Sequence, residues 1–142
     1  MIKNLYVTCL ILITSFVAFS QNREEKSIRN LLLQQTVAWN NGNLKQFMQG
    51  YWQSDSLMFI GNRGVTYGLQ NTLDNYKKNY QDTAAMGQLN FELLELKQLS
   101  NQNYFVVGTW QLTRTAGNLK GIFSLLFRKI KNSWVIIADH SS

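Results

Sequence analysis

Cysteine and histidine are almost missing from this chain of 142 residues. The only cysteine, Cys9, lies in the first twenty residues, and the only histidine is His140. Past residue 20 there is therefore no disulfide, no thiolate nucleophile and no sulfur ligand for a metal. One histidine with scattered carboxylates gives no spacing that converges on an ion, so neither a metal nor another cofactor is expected. No Gly-x-Ser-x-Gly elbow is present, and no internal repeat or low-complexity linker interrupts the chain. Basic residues outnumber acidic ones, 14 Lys and Arg to 8 Asp and Glu, but they are spread along the chain. Arg128, Lys129 and Lys131 flank a predicted hairpin turn, and no motif interleaves basic and aromatic residues, so no nucleic-acid partner is expected.

What the chain does have begins with an export signal. Lys3 supplies a positive start, residues 5–19 are nearly all apolar, and Ala18-Phe19-Ser20 offers small residues for cleavage after Ser20. The stretch is short of the ~20 apolar residues that span a bilayer, which argues against a retained membrane anchor. Cys9 sits near the beginning of the stretch, where a lipid-attachment cysteine should follow it. The expectation is a secreted or periplasmic protein whose residues 21–142 form one domain.

Residues 23–40 read as a helix, with Asn22 as N-cap, Glu25 reaching back to it, and Ile28, Leu31, Leu32 and Trp39 on one face. Gly42 can take the left-handed conformation that ends a helix, and Asn43 can cap a short second helix to about Gly50. Residues 57–60 read as a first strand ended by Gly61, and residues 61–64 as a turn. A third helix follows Gly68, since Leu69, Leu73, Tyr76 and Tyr80 recur at helical spacing with Lys77 and Lys78 on the outer side. Residues 89–99, 104–115, 121–130 and 134–140 are strands, and their short polar breaks predict an antiparallel meander. Strands this long must twist and bend, for which Gly108, Gly117 and Gly121 are the candidates. A bent sheet under helices predicts an α+β cone with one pocket.

The order of elements, the corner Ala38-Trp39-Asn40-Asn41-Gly42-Asn43-Leu44, the segment Tyr51-Trp52-Gln53-Ser54-Asp55 leading into the first strand, and the ending Trp134 to Ser142 together carry a family likeness. The chain resembles the nuclear transport factor 2-like superfamily, most nearly its SnoaL-like branch, known as domain of unknown function 4440. The resemblance implies a cone-shaped, cystatin-like α+β fold, a pocket between sheet and helices, and often a homodimer. It implies no particular reaction, because fold does not fix chemistry. Threading on the superfamily's steroid isomerase puts Gln35 near the catalytic tyrosine, Phe59 or Ile60 near the base, and Leu125 or Leu126 near the acid, so the isomerase groups are missing.

Two residues offer acid–base chemistry. His140 has the only side chain with an unperturbed pKa near neutrality, against a reading as a hydrogen-bonded edge residue. Asp55, beside Tyr51 and Trp52, is a second carboxyl candidate, against a reading as a turn cap. Asp139-His140-Ser141 is no hydrolytic triad, since neighbours in a strand face opposite ways, and the sequence leaves open which of Asp139 and His140 faces inward. Arg114 and Arg128 could receive an anion if either points inward. Trp110, Tyr67 and Phe123 serve as core or pocket wall, and Gln35 on an apolar helix face must find partners for its amide. The leading expectation is a small-molecule site lined by Trp39, Trp52, Asp55, Tyr67, Trp110, Arg128 and His140. The alternatives are an isomerase-, dehydratase- or hydrolase-like enzyme using His140 and Asp55, and a dimeric association module.

Overall fold

The computed structural model describes residues 23–142. The export signal and the Asn22 cap lie outside the described residues. Helix α1 runs over 23–40 and buries Ile28, Leu32 and Trp39 along one side, with Leu31 partly covered. The chain leaves it through Gly42 at φ +71°, and the Asn43 side chain caps α2 (Leu44–Phe47) by accepting from the Gln46 amide. A 3-10 turn (Met48–Gly50) completes the corner. Gly50 is a packing requirement here: a Cβ on it would stand 2.7 Å from the Gln35 amide nitrogen.

Strand β1 (Met58–Gly61) then pairs in a hairpin with β2 (Gly64–Tyr67), a strand the sequence did not predict, only its first residue, Gly64, falling in the expected turn. Helix α3 (Leu69–Asn79) and the single turn α4 (Thr83–Met86), also unforeseen, lead into the meander β3 (Gln88–Ser100), β4 (Asn103–Thr113), β5 (Leu119–Ile130) and β6 (Ser133–Ser141). Lys131 and Asn132 both take positive φ in the two-residue loop between β5 and β6, as the tightest hairpins require.

All six strands form one sheet in the order β2-β1-β6-β5-β4-β3. The meander is antiparallel, as its short links demand, but β1 joins β6 in parallel, with Phe59 opposite Asp139 and Ile60 opposite His140. The result is the expected α+β architecture, with helices packed on a six-stranded sheet. Its inner face buries Tyr104, Val106, Phe127 and Ile136 completely, each such side chain stabilising the fold by about 1.5–3 kcal/mol.

One of the sheet's three register shifts lies opposite Gly108, which pairs with Leu93, and the other two fall away from the glycines. The register shifts between Leu93 and Glu95, between Gln98 and Ser100, and between Leu126 and Phe127. Gly117 instead makes the β4–β5 turn at φ +106°, and Gly108 allows close approach: a Cβ on it would stand 2.5 Å from the Glu92 carbonyl oxygen. Two clamps seat α1 on the sheet. Asn40 exchanges hydrogen bonds with the Leu89 backbone, while Glu24 accepts from Lys129 at 2.8 Å and from the Trp134 indole at 2.6 Å.

Candidate functional site

Between helices and sheet lies a pocket of about 650 Å³, a size typical of small-ligand sites. Its walls are mostly rings. The Trp39 ring meets Phe47, Tyr76 and Tyr80 edge-on at centroid separations of 4.9–5.8 Å, and Phe59 meets Tyr76 at 5.7 Å. Phe91 and Phe123 form a further pair at 5.2 Å on the sheet side. Such pairs add about 0.5–1.5 kcal/mol each beyond area burial, so the wall is preorganised rather than collapsible.

A cluster of four polar side chains, Tyr51, Tyr76, Asp139 and Ser141, sits inside this apolar surround. The Tyr51 hydroxyl donates to Asp139 Oδ2 at 2.6 Å, and the Ser141 hydroxyl donates to Oδ1 at 2.7 Å. Tyr76 shares a hydrogen bond with Tyr51 and feels the Asp139 charge. Burial holds the Asp139 carboxyl above the usual carboxylate range, although the bonds from Tyr51 and Ser141 oppose the shift by favouring the ionised form. Burial and the neighbouring Asp139 charge push both phenols well above their ordinary range, so neither ionises near neutral pH. The cluster can therefore accept or donate one proton through Asp139, and Tyr51 offers a fixed hydroxyl beside it.

A single extra residue decides which side chain faces this space. Trp134 and Ile136 point into the core, so strict alternation along β6 would turn Ala138 and His140 inward. Instead Phe127 pairs with Ile136 and Leu126 with Ala138, leaving Ile137 as an unpaired bulge residue. The alternation shifts by one, Asp139 is buried at 3% exposure, and His140 is exposed.

Of the expected site residues, Trp39 and Trp110 line the pocket. His140 is turned outward by the bulge, and Asp55 is exposed in the loop ahead of β1. Tyr67 is 60% exposed at the end of the edge strand β2, Arg128 is exposed on β5, and Trp52 is half-buried outside the lining. These five are corrections to the expected lining, and the pair His140 and Asp55 is not brought to the pocket. Arg114 is held by the carbonyls of Gly117 and Ala85 rather than aimed at a ligand. Gln35 lines the pocket and satisfies its amide on the Phe47 carbonyl at 3.0 Å. Phe59 and Leu125 face the same space, so the threaded isomerase positions carry no carboxyl there, and the inward phenols and carboxyl are Tyr51, Tyr76 and Asp139.

The mouth is polar and includes Asn62, Arg63, Lys78, Asn79, Lys120 and Ser142. Lys78 thus belongs to the pocket's rim, where the spacing of α3 had placed it simply on the outer side. Among the described residues no group of three or more His, Cys, Asp or Glu is placed to hold a metal ion, and no helix is long and apolar enough to cross a membrane.

No family model and no curated protein matches the chain. Solved structures do. An NTF-2 like protein of unknown function from Shewanella oneidensis MR-1 is 46% identical, with a TM-score of 0.81 over 84% of this chain and 98% of that one. A domain of unknown function with a cystatin-like fold from Nostoc punctiforme PCC 73102 is 17% identical, with a TM-score of 0.69 over 83% and 75% of the two chains. A ketosteroid isomerase-like protein from Erwinia carotovora atroseptica SCRI1043 is 20% identical, with a TM-score of 0.66 over 85% and 96%. At that identity the last two are likenesses of fold alone.

Proposed function

We propose that this chain, which belongs to the NTF2-like family, binds a small molecule in the pocket between its sheet and helices. The observation that carries the reading is the buried Asp139 carboxyl, hydrogen-bonded by Tyr51 and Ser141 inside a cavity walled largely by aromatic and leucine side chains. A pocket that served only as packing would be filled by hydrocarbon, and a buried carboxyl there costs stability. Protonated, Asp139 offers a hydrogen bond to a ligand oxygen; ionised, it holds a ligand donor. Either way one polar group orients a ligand whose remaining surface meets aromatic walls.

The neutral fluorophore N-phenylnaphthylamine tests this. It is expected to bind one to one and to take up excitation energy from Trp39 and Trp110. Thr66→Trp, which puts a ring into the lining from the edge strand β2, should abolish that binding in a protein that still melts cooperatively. Unaltered binding in this variant would place the probe elsewhere and remove the support for the pocket.

A second reading is acid–base catalysis in the same pocket, favoured by the raised pKa of Asp139, with that carboxyl as the proton carrier and Tyr51 as its hydrogen-bonding partner. We further place the chain in the SnoaL-like branch of the family, exported to the periplasm or secreted after cleavage following Ser20, and assembled as a homodimer. The ending Trp134 to Ser142 supports the first of these, the apolar stretch over 5–19 the second, and Phe105 and Ile122 on the outer sheet face the third.

A further inference from the structure

We infer that the pocket takes an amphipathic anion, a ring system lying among the aromatic walls with one carboxylate, sulfonate or phosphate left at the mouth against Arg63, Lys78 and Lys120. This deepens the binding reading and rests on it. Four charged side chains line the pocket, and three of them, all positive, are exposed at its rim. The fourth, Asp139, is buried. The seven other acidic residues of the chain all lie outside the lining, so no acidic side chain at the mouth balances the three cations.

The three cations come from three separate elements. Arg63 is in the β1–β2 loop, Lys78 in the last turn of α3, and Lys120 near the start of β5. Charges that arise independently and meet at one opening act together on whatever occupies it, because their potentials add. Arg63 is also positioned. Its Nη2 donates to Asn79 Oδ1 at 3.2 Å, which ties the hairpin loop to the end of α3 across the rim and leaves other donors of the fork for an anion. The ion pair of Lys129 with Glu24 lies at the other end of β5 from this opening, and among the described residues none of the three rim cations is paired with an acidic side chain.

The surplus of basic residues offers a plainer account, in which these are ordinary solvated side chains and Lys78 complements the helix end. That account predicts acids at the rim in proportion to the whole chain. Asp74 lies on α3 and Glu92 and Glu95 on β3, elements that border the pocket, yet none contributes to its lining.

Two probes with one ring system separate the possibilities. N-phenylnaphthylamine is neutral, and anilinonaphthalene sulfonate is the same skeleton with one negative charge. Titrated into the full chain at low salt, the sulfonate should bind roughly tenfold more tightly than the neutral probe, the effect of about 1.4 kcal/mol of added attraction. The two should compete, and Thr66→Trp should weaken both. The ratio of the two affinities should fall toward one in Arg63→Gln/Lys78→Gln/Lys120→Gln, and in the unaltered protein as salt is raised, since exposed charges are screened. If the neutral probe binds and the sulfonate gains nothing, or if the ratio survives both the substitutions and salt, the anion inference is overturned while the pocket reading stands. If neither probe binds competitively, the binding reading itself fails.

Discussion

Tyr51 and Asp139, 88 residues apart in sequence, share a 2.6 Å hydrogen bond inside the pocket. The contact joins the corner after the 3-10 turn to the end of β6. It is supported from the backbone, since Tyr51 makes an isolated parallel bridge with Ile136 and the Trp52 amide donates to the Ile136 carbonyl at 2.9 Å. Phenol and carboxyl are therefore held by the main chain on both sides, and their geometry does not depend on a ligand.

Asp139 gives the protein a stability that depends on pH. Burial raises the folded-state pKa above the ordinary value of ~3.9. Below that value both folded and unfolded chains carry the proton. As pH rises the unfolded chain releases it first, so stability falls until the folded carboxyl has ionised as well. Asp139→Asn should remove this slope, which melting curves taken from about pH 4 upward would show. A slope unchanged by the substitution would mean that Asp139 does not titrate as described.

The bond from Tyr51 works in the opposite direction, stabilising the ionised carboxyl. Tyr51→Phe should therefore move the Asp139 titration to still higher pH, and Ser141→Ala should do the same. Carbon-detected NMR of the Asp139 carboxyl would read the shift. Tyr51→Phe should also cost roughly 1–3 kcal/mol of stability, because it leaves a buried acceptor without its donor.

His140 and Asp55 provide a contrast. Both are exposed and outside the lining, so His140→Ala and Asp55→Ala should leave binding of N-phenylnaphthylamine within about twofold of the unaltered protein, as expected for surface sites remote from the contact. A large loss in either would show that the ligand reaches beyond the pocket.

Gly108 marks where the sheet tolerates no side chain. Ala at this position would press its Cβ into the Phe123 ring and bring it to 2.5 Å from the Glu92 carbonyl oxygen. The ring can move but the backbone cannot, so Gly108→Ala should destabilise the fold by about 1–3 kcal/mol in chemical denaturation.

The proposed homodimer is tested on the outer face of the sheet. Ile122 is 56% exposed and Phe105 36% exposed there, and a second copy would cover them. Ile122→Glu with Phe105→Glu should give a monomer by light scattering where the unaltered chain gives a dimer. A monomer in both cases would sink the assembly.

Much of the architecture was legible because local signals agreed with the global fold. The Trp39 face of α1, the Gly42 and Asn43 corner, and the four long strands all follow from periodicity and turn chemistry. The strand β2 was missed because Gly64-Val65-Thr66-Tyr67 is short and only half apolar, and it exists because β1 needs an edge partner. The site was less legible. Trp39 and Trp110 belong to the lining as expected, whereas the choice between Asp139 and His140, open in the sequence, is made by one bulge residue, Ile137. Period-two alternation carries no sign of where a strand gains a residue. Tyr51 was visible only as a neighbour of Asp55, because its partner lies 88 residues away. Two clues were available: Asp139 is a lone acid in the apolar final strand, and such a group must find donors or change its charge.

The order of the sheet also sets an order of assembly. Strand β6, the last of the six in chain order, lies in the sheet's interior with β1 on one side and β5 on the other. The hairpin of β1 and β2 emerges early during synthesis, yet it has no sheet to join until residues 138–140 are made. Loop closure over such a distance is slow, and an unpaired strand edge waiting for its neighbour is exposed to wrong partners. Phe59 and Asp139, which face each other across that late junction, are thus brought together in the step that completes the sheet. The cavity, whose lining takes Phe59 from β1 and Asp139 from β6, is closed only once these two strands have met.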